Sequence, residues 1–438
     1  MQEEKFDVIV VGAGPSGIAA AYTLAKAGLE VVVLERGATP GSKNLFGGIL
    51  FSTIINKLIP NFWEKAPVER HIVRRRFSML TQNSEASLEL RSERYNTPPY
   101  NNTFTVIRSK FDRWFAEQAE AAGAQVFPGV VVDDFLWRDE KVAGIKARGE
   151  REGEYDELLA DVVICAEGAN SLLAQKAGLR EKIRPEERSV AVKEVIALPR
   201  EKIEERFQLE GEEGCACEYF GDSTMGLVGS GFIYTNKESI SIGVGCSIKE
   251  FYNRDLNPND ILEHFKNHPC VRKLISEGEP VEYMAHMIPE EGYKRLPKLY
   301  RDGLLLVGDA AGLVNTSIFH EGTNLAMASG VMAAETVIEA KDKGDFSAQT
   351  LSLYRKKLED SFVMKDLKKF KDFIDFISEN KQFLNEYPNL FINLLIDYFQ
   401  VSERPKGEVQ KELFKRFKKE VGLFKFVRDL WRVKGAML

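Results

Sequence analysis

The sequence predicts an α/β protein: a Rossmann-like, doubly wound nucleotide-binding domain interleaved with a mixed β-sheet domain and followed by a helical C-terminal segment. Three observations predict it. The apolar run Val8 to Val11 passes through Gly12-Ala13-Gly14-Pro15-Ser16-Gly17 into an alanine-rich segment, then returns as a second apolar run, Val31 to Leu34, within the reach of a parallel β-α-β crossover. Two further buried-strand patterns, Asp161 to Ala166 and Leu304 to Val307, end in glycine-containing turns far along the chain, so that domain is discontinuous. Residues 186–290 read mostly as strand, and the chain after about 345 reads as helix.

Ile18 to Ala27 has the composition of a helix and Gly28 closes it. The second strand ends in Glu35-Arg36-Gly37. A glycine-rich turn, Gly41 to Gly48, then Pro60, Pro67 and the Pro98-Pro99 pair mark some seventy residues as loops and short strands. Val106 to Gly123 returns as a strand end and an amphipathic helix with Phe111, Trp114, Phe115 and Ala119 on one face. Residues 125–165 alternate as a β-meander. Gly221 to Gly231 is turn-rich, Ser239 to Gly245 is a strand, Gly322 to Lys341 is a helix, and Pro388 and Pro405 are expected to break the helical tail. The expected boundaries are 1–70, 100–185 and 295–345 for the nucleotide-binding domain, 71–99 and 186–294 for the β-rich domain, and 346–438 for the helical region.

The 438 residues suffice for two or three domains, and a net charge of −6 argues against nucleic-acid binding. The 5 cysteines, Cys165, Cys215, Cys217, Cys246 and Cys270, are odd in number and unevenly spaced, so a reducing cytosol is the expected setting. The start of the chain lacks the pattern of a signal peptide. The most apolar helical stretch, Leu390 to Val401, is interrupted by Asn393, Asp397 and Gln400, so any membrane contact is expected to be peripheral.

Gly12-x-Gly14-x-x-Gly17 lies between strand and helix, where the first glycine permits the turn, the second admits a pyrophosphate and the third lets the helix pack closely. Ala13, Pro15 and Ser16 complete the loop, whose amides and helix dipole favour an anion. Glu35, at the end of the second strand and followed by Arg36, is placed to accept from ribose hydroxyls. Asp309 in Leu304 to Gly312 follows a buried strand, where a carboxylate can hold a sugar-alcohol hydroxyl. Gly312 and Gly322 leave backbone free to approach a ring.

With these segments the chain resembles the FAD-dependent family of aromatic hydroxylases, geranylgeranyl reductases and electron-transfer-flavoprotein:quinone oxidoreductases, whose nucleotide-binding domain is of the glutathione-reductase type. The resemblance implies FAD, with its ADP half on the N-terminal glycines and Glu35, and its ribityl chain on Asp309. Two more segments carry it: Arg108-x-x-Phe111-Asp112-x-Trp114, and Asp161 to Ser171, where Glu167-Gly168 replaces the usual Asp-Gly. It implies Arg108 and Gly168 as cofactor contacts and places Asn324, at the head of the Gly322 helix, beside the flavin ring.

Lys43 to Gly48, including Gly47 and Gly48, together with Gly229 to Tyr234 and Ala285 to Gly292, resembles the FixC/EtfC branch of the quinone oxidoreductases. That resemblance implies electron-transfer flavoprotein alpha and beta subunits as partners, a ferredoxin-like iron-sulfur subunit, and reduction of a membrane quinone at the cytoplasmic face. It also admits a place in an electron-bifurcating, NADH-oxidising assembly. No cysteine follows Cys270, so the cluster that longer relatives carry near their C-terminus cannot be ligated here. Phe232, Tyr234, His286 and Ile288 are the expected quinone contacts. His320 is a candidate proton relay, against a local hydrogen-bonding role. No resident metal is expected. Cys215 and Cys217 read as structural thiols, and His264 and His268 as a solvated helix face. Geranylgeranyl reduction is the competing activity.

Residues 406–438 carry ten Lys or Arg against four Asp or Glu. Leu413, Phe417, Val421, Phe424, Val427 and Trp431 recur at helical spacing, so a basic amphipathic helix lying on lipid or on protein is expected.

Overall fold

The structure is a computed structural model that describes residues 5–43, 48–149, 151, 153–252 and 254–437. Gly47 and its neighbours 44–46 lie outside the described residues. The chain forms two compact units, residues 1–72, 93–189 and 284–368, and residues 73–92, 190–283 and 369–438. The helical stretch after 346 is shared between them, dividing after Lys368.

The first unit is organised by strands β1 (Lys5–Val11), β2 (Val31–Glu35), β3 (Gln125–Pro128), β4 (Val132–Arg138), β5 (Lys141–Arg148), β6 (Tyr155–Cys165), β7 (Tyr300–Arg301) and β8 (Leu304–Leu306). Their order is β7-β8-β6-β1-β2-β3, with the β4-β5 hairpin beside β6. β8, β6, β1, β2 and β3 run parallel, with Val8 opposite Val162 and Val31, and Val163 opposite Leu304. A parallel sheet covered on both faces buries every residue, which is why these strands read as unbroken apolar runs. Val8, Ile9 and Val10 are fully buried with Val162, Val163 and Ile164. Helix α1 (Pro15–Lys26) follows β1, α2 (Arg108–Ala121) buries Phe111, Trp114, Phe115 and Ala119, and α3 (Thr323–Lys343) packs against α1.

The second unit contains most of a run of neighbouring strands ordered 188–197, 239–247, 229–235, 213–221 and 68–80, with 85–91 paired to 68–80, made largely from antiparallel hairpins. Val68–Leu80 is a strand of 13 residues where loops and short strands were expected. Its pattern is obscured by buried arginines. Arg74 donates to the Phe207 carbonyl and pairs with Glu89 at 2.8 Å, so its buried charge is paired inside the unit.

Three further expectations are corrected. Arg200–Phe207 and Pro258–Asn267 are helices within the stretch read as strand. The second starts on a capping box, in which Asn257 Oδ1 accepts from the amides of Asn259 and Asp260 and Asp260 accepts from the Asn257 amide at 2.9 Å. His268 is therefore not on a solvated face; it is buried at this helix's end, its Nε2 donating to the Thr81 carbonyl at 2.7 Å while Nδ1 accepts from the Cys270 amide. Pro388 does not break the tail, because it lies in the first turn of α4 (Glu386–Phe399), where a missing amide hydrogen costs no bond.

The basic tail is two helices, α5 (Lys406–Glu420) and α6 (Leu423–Met437), separated at Gly422 with φ 75°. The break splits the apolar stripe. Phe417 and Val421 turn inward with Phe426 onto Tyr387 and Leu390 of α4, whereas Phe424 is 84% and Trp431 69% exposed.

Candidate functional site

The site is assembled where β1, β6 and β8 of the first unit end together. Gly12 has φ 105°, and a Cβ there would stand 2.4 Å from the Ala166 carbonyl oxygen. A Cβ on Gly17 would stand 2.0 Å from the Gly12 oxygen, so α1 can start this close to the turn only through glycine. Gly14 differs: nothing lies within 4 Å of its missing side chain. The turn is thus closed on its protein side and open on the other.

Glu35 is brought to this turn. One carboxylate oxygen accepts from the Ala13 amide at 2.9 Å and the other from the Gly37 amide at 2.6 Å, fixing the loop against the end of β2. Pro15 and Ser16 begin α1, which no side chain caps, so its N-terminal amides remain available. Arg36 is exposed. Arg108 grips Asp112 through two parallel bonds of 2.8 and 2.7 Å, and both side chains are buried. Burial opposes the charge on Arg108, but Asp112 and, next, Asp309 outweigh it and hold the guanidinium above its usual range.

Asp309 sits in a 3-10 turn, Gly308–Ala311, directly after β8. Its carboxylate takes part in no hydrogen bond among the described residues. Burial raises its pKa, while His286, Arg108 and Arg180 pull it back. His286 feels the same field. Burial lowers its pKa, Asp309 opposes, and Arg108 and Arg36 lower it further, so the imidazole titrates below its usual range. Gly168 has φ 81° and open space at its missing side chain, and Gly312 has φ 69°. Gly48 is buried at the start of the strand Ile49–Phe51.

At the head of α3, Gly322 takes the capping position without any side-chain cap. The Asn324 carbonyl oxygen accepts from the Ile54 amide at 3.1 Å, and its amide group donates to Glu321 at 2.7 Å. Asn324 thereby pins residue 54 to this helix end. His320, with φ 45°, is exposed on a loop closed by reciprocal backbone bonds between Asn315 and Glu321 of 2.9 and 3.0 Å.

Two features went unseen in the sequence. Arg180 is buried and donates to the Ala310 carbonyl at 2.5 Å, the Asp309 carbonyl at 3.4 Å and Ser171 Oγ at 2.9 Å, with Glu291 as its ion-pair partner. It clamps the turn that carries Asp309. Burial and the charge of Arg188 push its pKa down to about 10. Glu167 accepts from the amides of Leu173 at 2.9 Å and Ala174 at 2.8 Å, and so caps the short helix Leu172–Lys176.

Of the expected quinone contacts, His286 and Ile288 belong to the first unit, and Phe232 and Tyr234 to the second. The latter two rings stack at 4.7 Å with 17° between their planes, and Tyr234 Oη donates to Glu218 at 2.9 Å. Cys215 and Cys217 are buried with their sulfurs 3.5 Å apart.

An open cradle at Gly14 and Gly168, two helix N-termini without side-chain caps and an unengaged Asp309 carboxylate suit a dinucleotide whose middle is anionic and whose sugar-alcohol chain is rich in hydroxyls. Residues 5–208 match the FAD binding domain family, and residues 373–438 match the ETF-QO/FixC family C-terminal domain. The chain is 45% identical to Protein FixC of Bradyrhizobium diazoefficiens, covering 100% of both chains. It is 42% identical to the probable electron transfer flavoprotein-quinone oxidoreductase YdiS of Escherichia coli K12, over 100% of this chain and 99% of that one. The chain belongs to the ETF-QO/FixC family. It is an FAD-dependent oxidoreductase. Among solved structures, a geranylgeranyl bacteriochlorophyll reductase-like protein of Thermoplasma acidophilum superposes with a TM-score of 0.72 at 23% identity, covering 98% of this chain and 99% of that one. That likeness shows the shared flavoprotein fold. The competing isoprenoid-reductase reading is not favoured, because the full-length relatives at 45% and 42% identity are FixC and quinone-oxidoreductase proteins.

Proposed function

We propose that this chain takes electrons from an electron-transfer flavoprotein, with a ferredoxin-like iron-sulfur subunit as intermediary, and delivers them in pairs to a membrane quinone. The observation that carries this reading is the full-length match to a protein named as an electron transfer flavoprotein-quinone oxidoreductase, including its family C-terminal domain. FAD, when bound, supplies the exchange between single-electron and paired-electron carriers.

In this reading Gly12, Gly14 and Gly17 with the head of α1 hold the pyrophosphate, Glu35 the adenosine ribose, and Asp309 the ribityl chain. Gly168, Gly312 and Gly322 give the ring close approach to backbone. The head of α3 presents a positive dipole end that favours negative charge developing on the ring. The buried Phe232-Tyr234 stack offers a flat aromatic surface for a quinone head group. A place in an NADH-oxidising, bifurcating assembly belongs to the same reading.

No helix among the described residues is long and apolar enough to cross a membrane. The exposed face of α6, with Phe424, Val427, Leu430 and Trp431 beside Lys425, Arg428 and Arg432, supports a peripheral lipid contact.

The test is turnover of the FAD-loaded chain with a reduced electron-transfer flavoprotein, the iron-sulfur subunit and a short-chain ubiquinone. Quinone-dependent oxidation of the donor is expected, reduced at least about tenfold in Phe232→Ala with FAD retained. A chain that holds FAD but passes no electrons to ubiquinone or menaquinone overturns the reading.

A further inference from the structure

The second unit contains a cleft of about 300 Å³ that the flavin chemistry does not use. Three distant segments wall it: the turn bearing Gln82 and Asn83, the turn 222–226, and α4 with the two residues before it. Carboxamides recur in the lining. Asn385, Asn389 and Asn393 recur at every fourth residue and face the cleft along the helix, with Gln82 and Asn83 among the other lining residues.

The walls are held firmly. His264 bonds Asp222 at 2.8 Å and His268 bonds the Thr81 carbonyl at 2.7 Å, so one helix braces both turns. Asn385 donates to the Gly226 carbonyl at 3.2 Å, which ties α4 to the third wall. Met225, 42% exposed on the lining, is held at φ 55°, a backbone conformation that costs a non-glycine residue energy. Asn389 donates one amide hydrogen to the Asn385 carbonyl at 2.8 Å, and its second hydrogen and its oxygen remain for a ligand in the cleft.

We propose that this cleft binds an extended segment of a partner polypeptide through its main chain. A carboxamide carries one acceptor and two donors, matching the peptide group it would face. Four residues of helix advance about 6 Å, close to the roughly 6.7 Å after which an extended chain repeats the same backbone orientation. From Asn385 to Asn393 the row therefore spans about 12 Å, enough for roughly four residues of bound chain. Among the described residues of the lining Asp222 is the one that carries a charge, and it is already paired with His264, so shape and amide bonding select the ligand rather than charge. The helix that supplies the row lies within the segment that matches the family's C-terminal domain. The inference does not depend on quinone being the electron acceptor.

The experiment is a photo-crosslinking residue placed at Asn393 in the full chain, expressed with its natural partners, with Asn259 as a surface control. Cross-linked peptides are identified by mass spectrometry. The expected result is one contiguous stretch of a co-purifying subunit, captured from 393 and not from 259. A synthetic peptide of that stretch should bind the FAD-loaded chain, and Asn389→Ala with Asn393→Ala should weaken binding at least about tenfold without changing FAD content. Cross-links confined to this chain, scattered over several partners, or replaced by a bound oligosaccharide overturn the proposal. So does a peptide whose affinity the double variant leaves intact.

Discussion

Replacing Arg180 by methionine keeps an unbranched aliphatic stem and removes its charge and all three donated bonds. What remains is the Glu291 carboxylate, whose side chain is 7% exposed, buried without its partner. Breaking a buried ion pair from one side costs about 3–5 kcal/mol, and the bonds to the carbonyls of Asp309 and Ala310 are charge-assisted members of the same network, so their worth is contained in that figure rather than added to it. Unfolding of the apoprotein in urea at pH 8 should therefore show a loss of about 4 kcal/mol. The deficit has a pH signature. An unpartnered buried Glu291 has its folded pKa raised above the unfolded value of about 4.3, so its stability is full below that value and is lost as pH rises through the folded pKa. Arg180→Met should thus be closer to wild type at pH 5 than at pH 8. Adding Glu291→Gln removes the stranded charge and should restore about half of the loss. FAD affinity, read by flavin fluorescence on release, should fall about tenfold, because the turn bearing Asp309 loses its clamp. A loss under about 1 kcal/mol, or a double variant less stable than the single one, refutes the clamp.

Three other outcomes follow from the same geometry. Gly14→Ala meets no protein atom within 4 Å and should fold normally while FAD affinity falls at least about tenfold, whereas Gly17→Ala, 2.0 Å from the Gly12 oxygen, should cripple folding itself; circular dichroism and flavin titration separate the two. In Asp309→Asn the raised pKa of Asp309 is removed. Because a raised carboxyl costs stability above its folded pKa, the apoprotein should gain thermal stability at pH 7 and lose FAD affinity, checked by melting curves with and without FAD. The same variant withdraws the Asp309 charge, which raises the His286 pKa, so the NMR titration of this imidazole should move to still lower pH.

The sheet of the first unit was legible because its strands are buried on both faces, which leaves Val8 to Val11, Asp161 to Ala166 and Leu304 to Val307 as unbroken apolar runs. The glycine turn was legible because its backbone conformation and close contacts admit little else, and Glu35 because its distance along the chain is set by one β-α-β unit. Local spacing reveals nothing of Arg180 and Glu291, which are 111 residues apart and meet only in the fold. The strand Val68–Leu80 was hidden by arginines whose burial depends on partners elsewhere, among them the Phe207 carbonyl. The tail kept its helical period across Gly422, and only the positive φ there reveals that Phe417 and Phe424 serve different surfaces.

Asp309 shows how the functional residue and the stability of the fold oppose one another. Its carboxylate lies among Arg108, Arg180 and His286, yet none of them bonds it. Arg108 is committed to Asp112, and Arg180 to the carbonyls of the same turn and to Glu291. A guanidinium in direct contact would stabilise the apoprotein and would also occupy the acceptor lone pairs that sugar-alcohol hydroxyls need. Holding the cations one step away lowers the cost of the charge without satisfying it. The hydroxyls of the cofactor then meet an acceptor that has nothing to give up, so binding gains the full hydrogen bond and the loaded protein is stabilised by mass action. Thermal stability should accordingly rise more on FAD addition in the wild type than in Asp309→Asn, and the size of that difference measures how much of the binding energy this single carboxylate supplies.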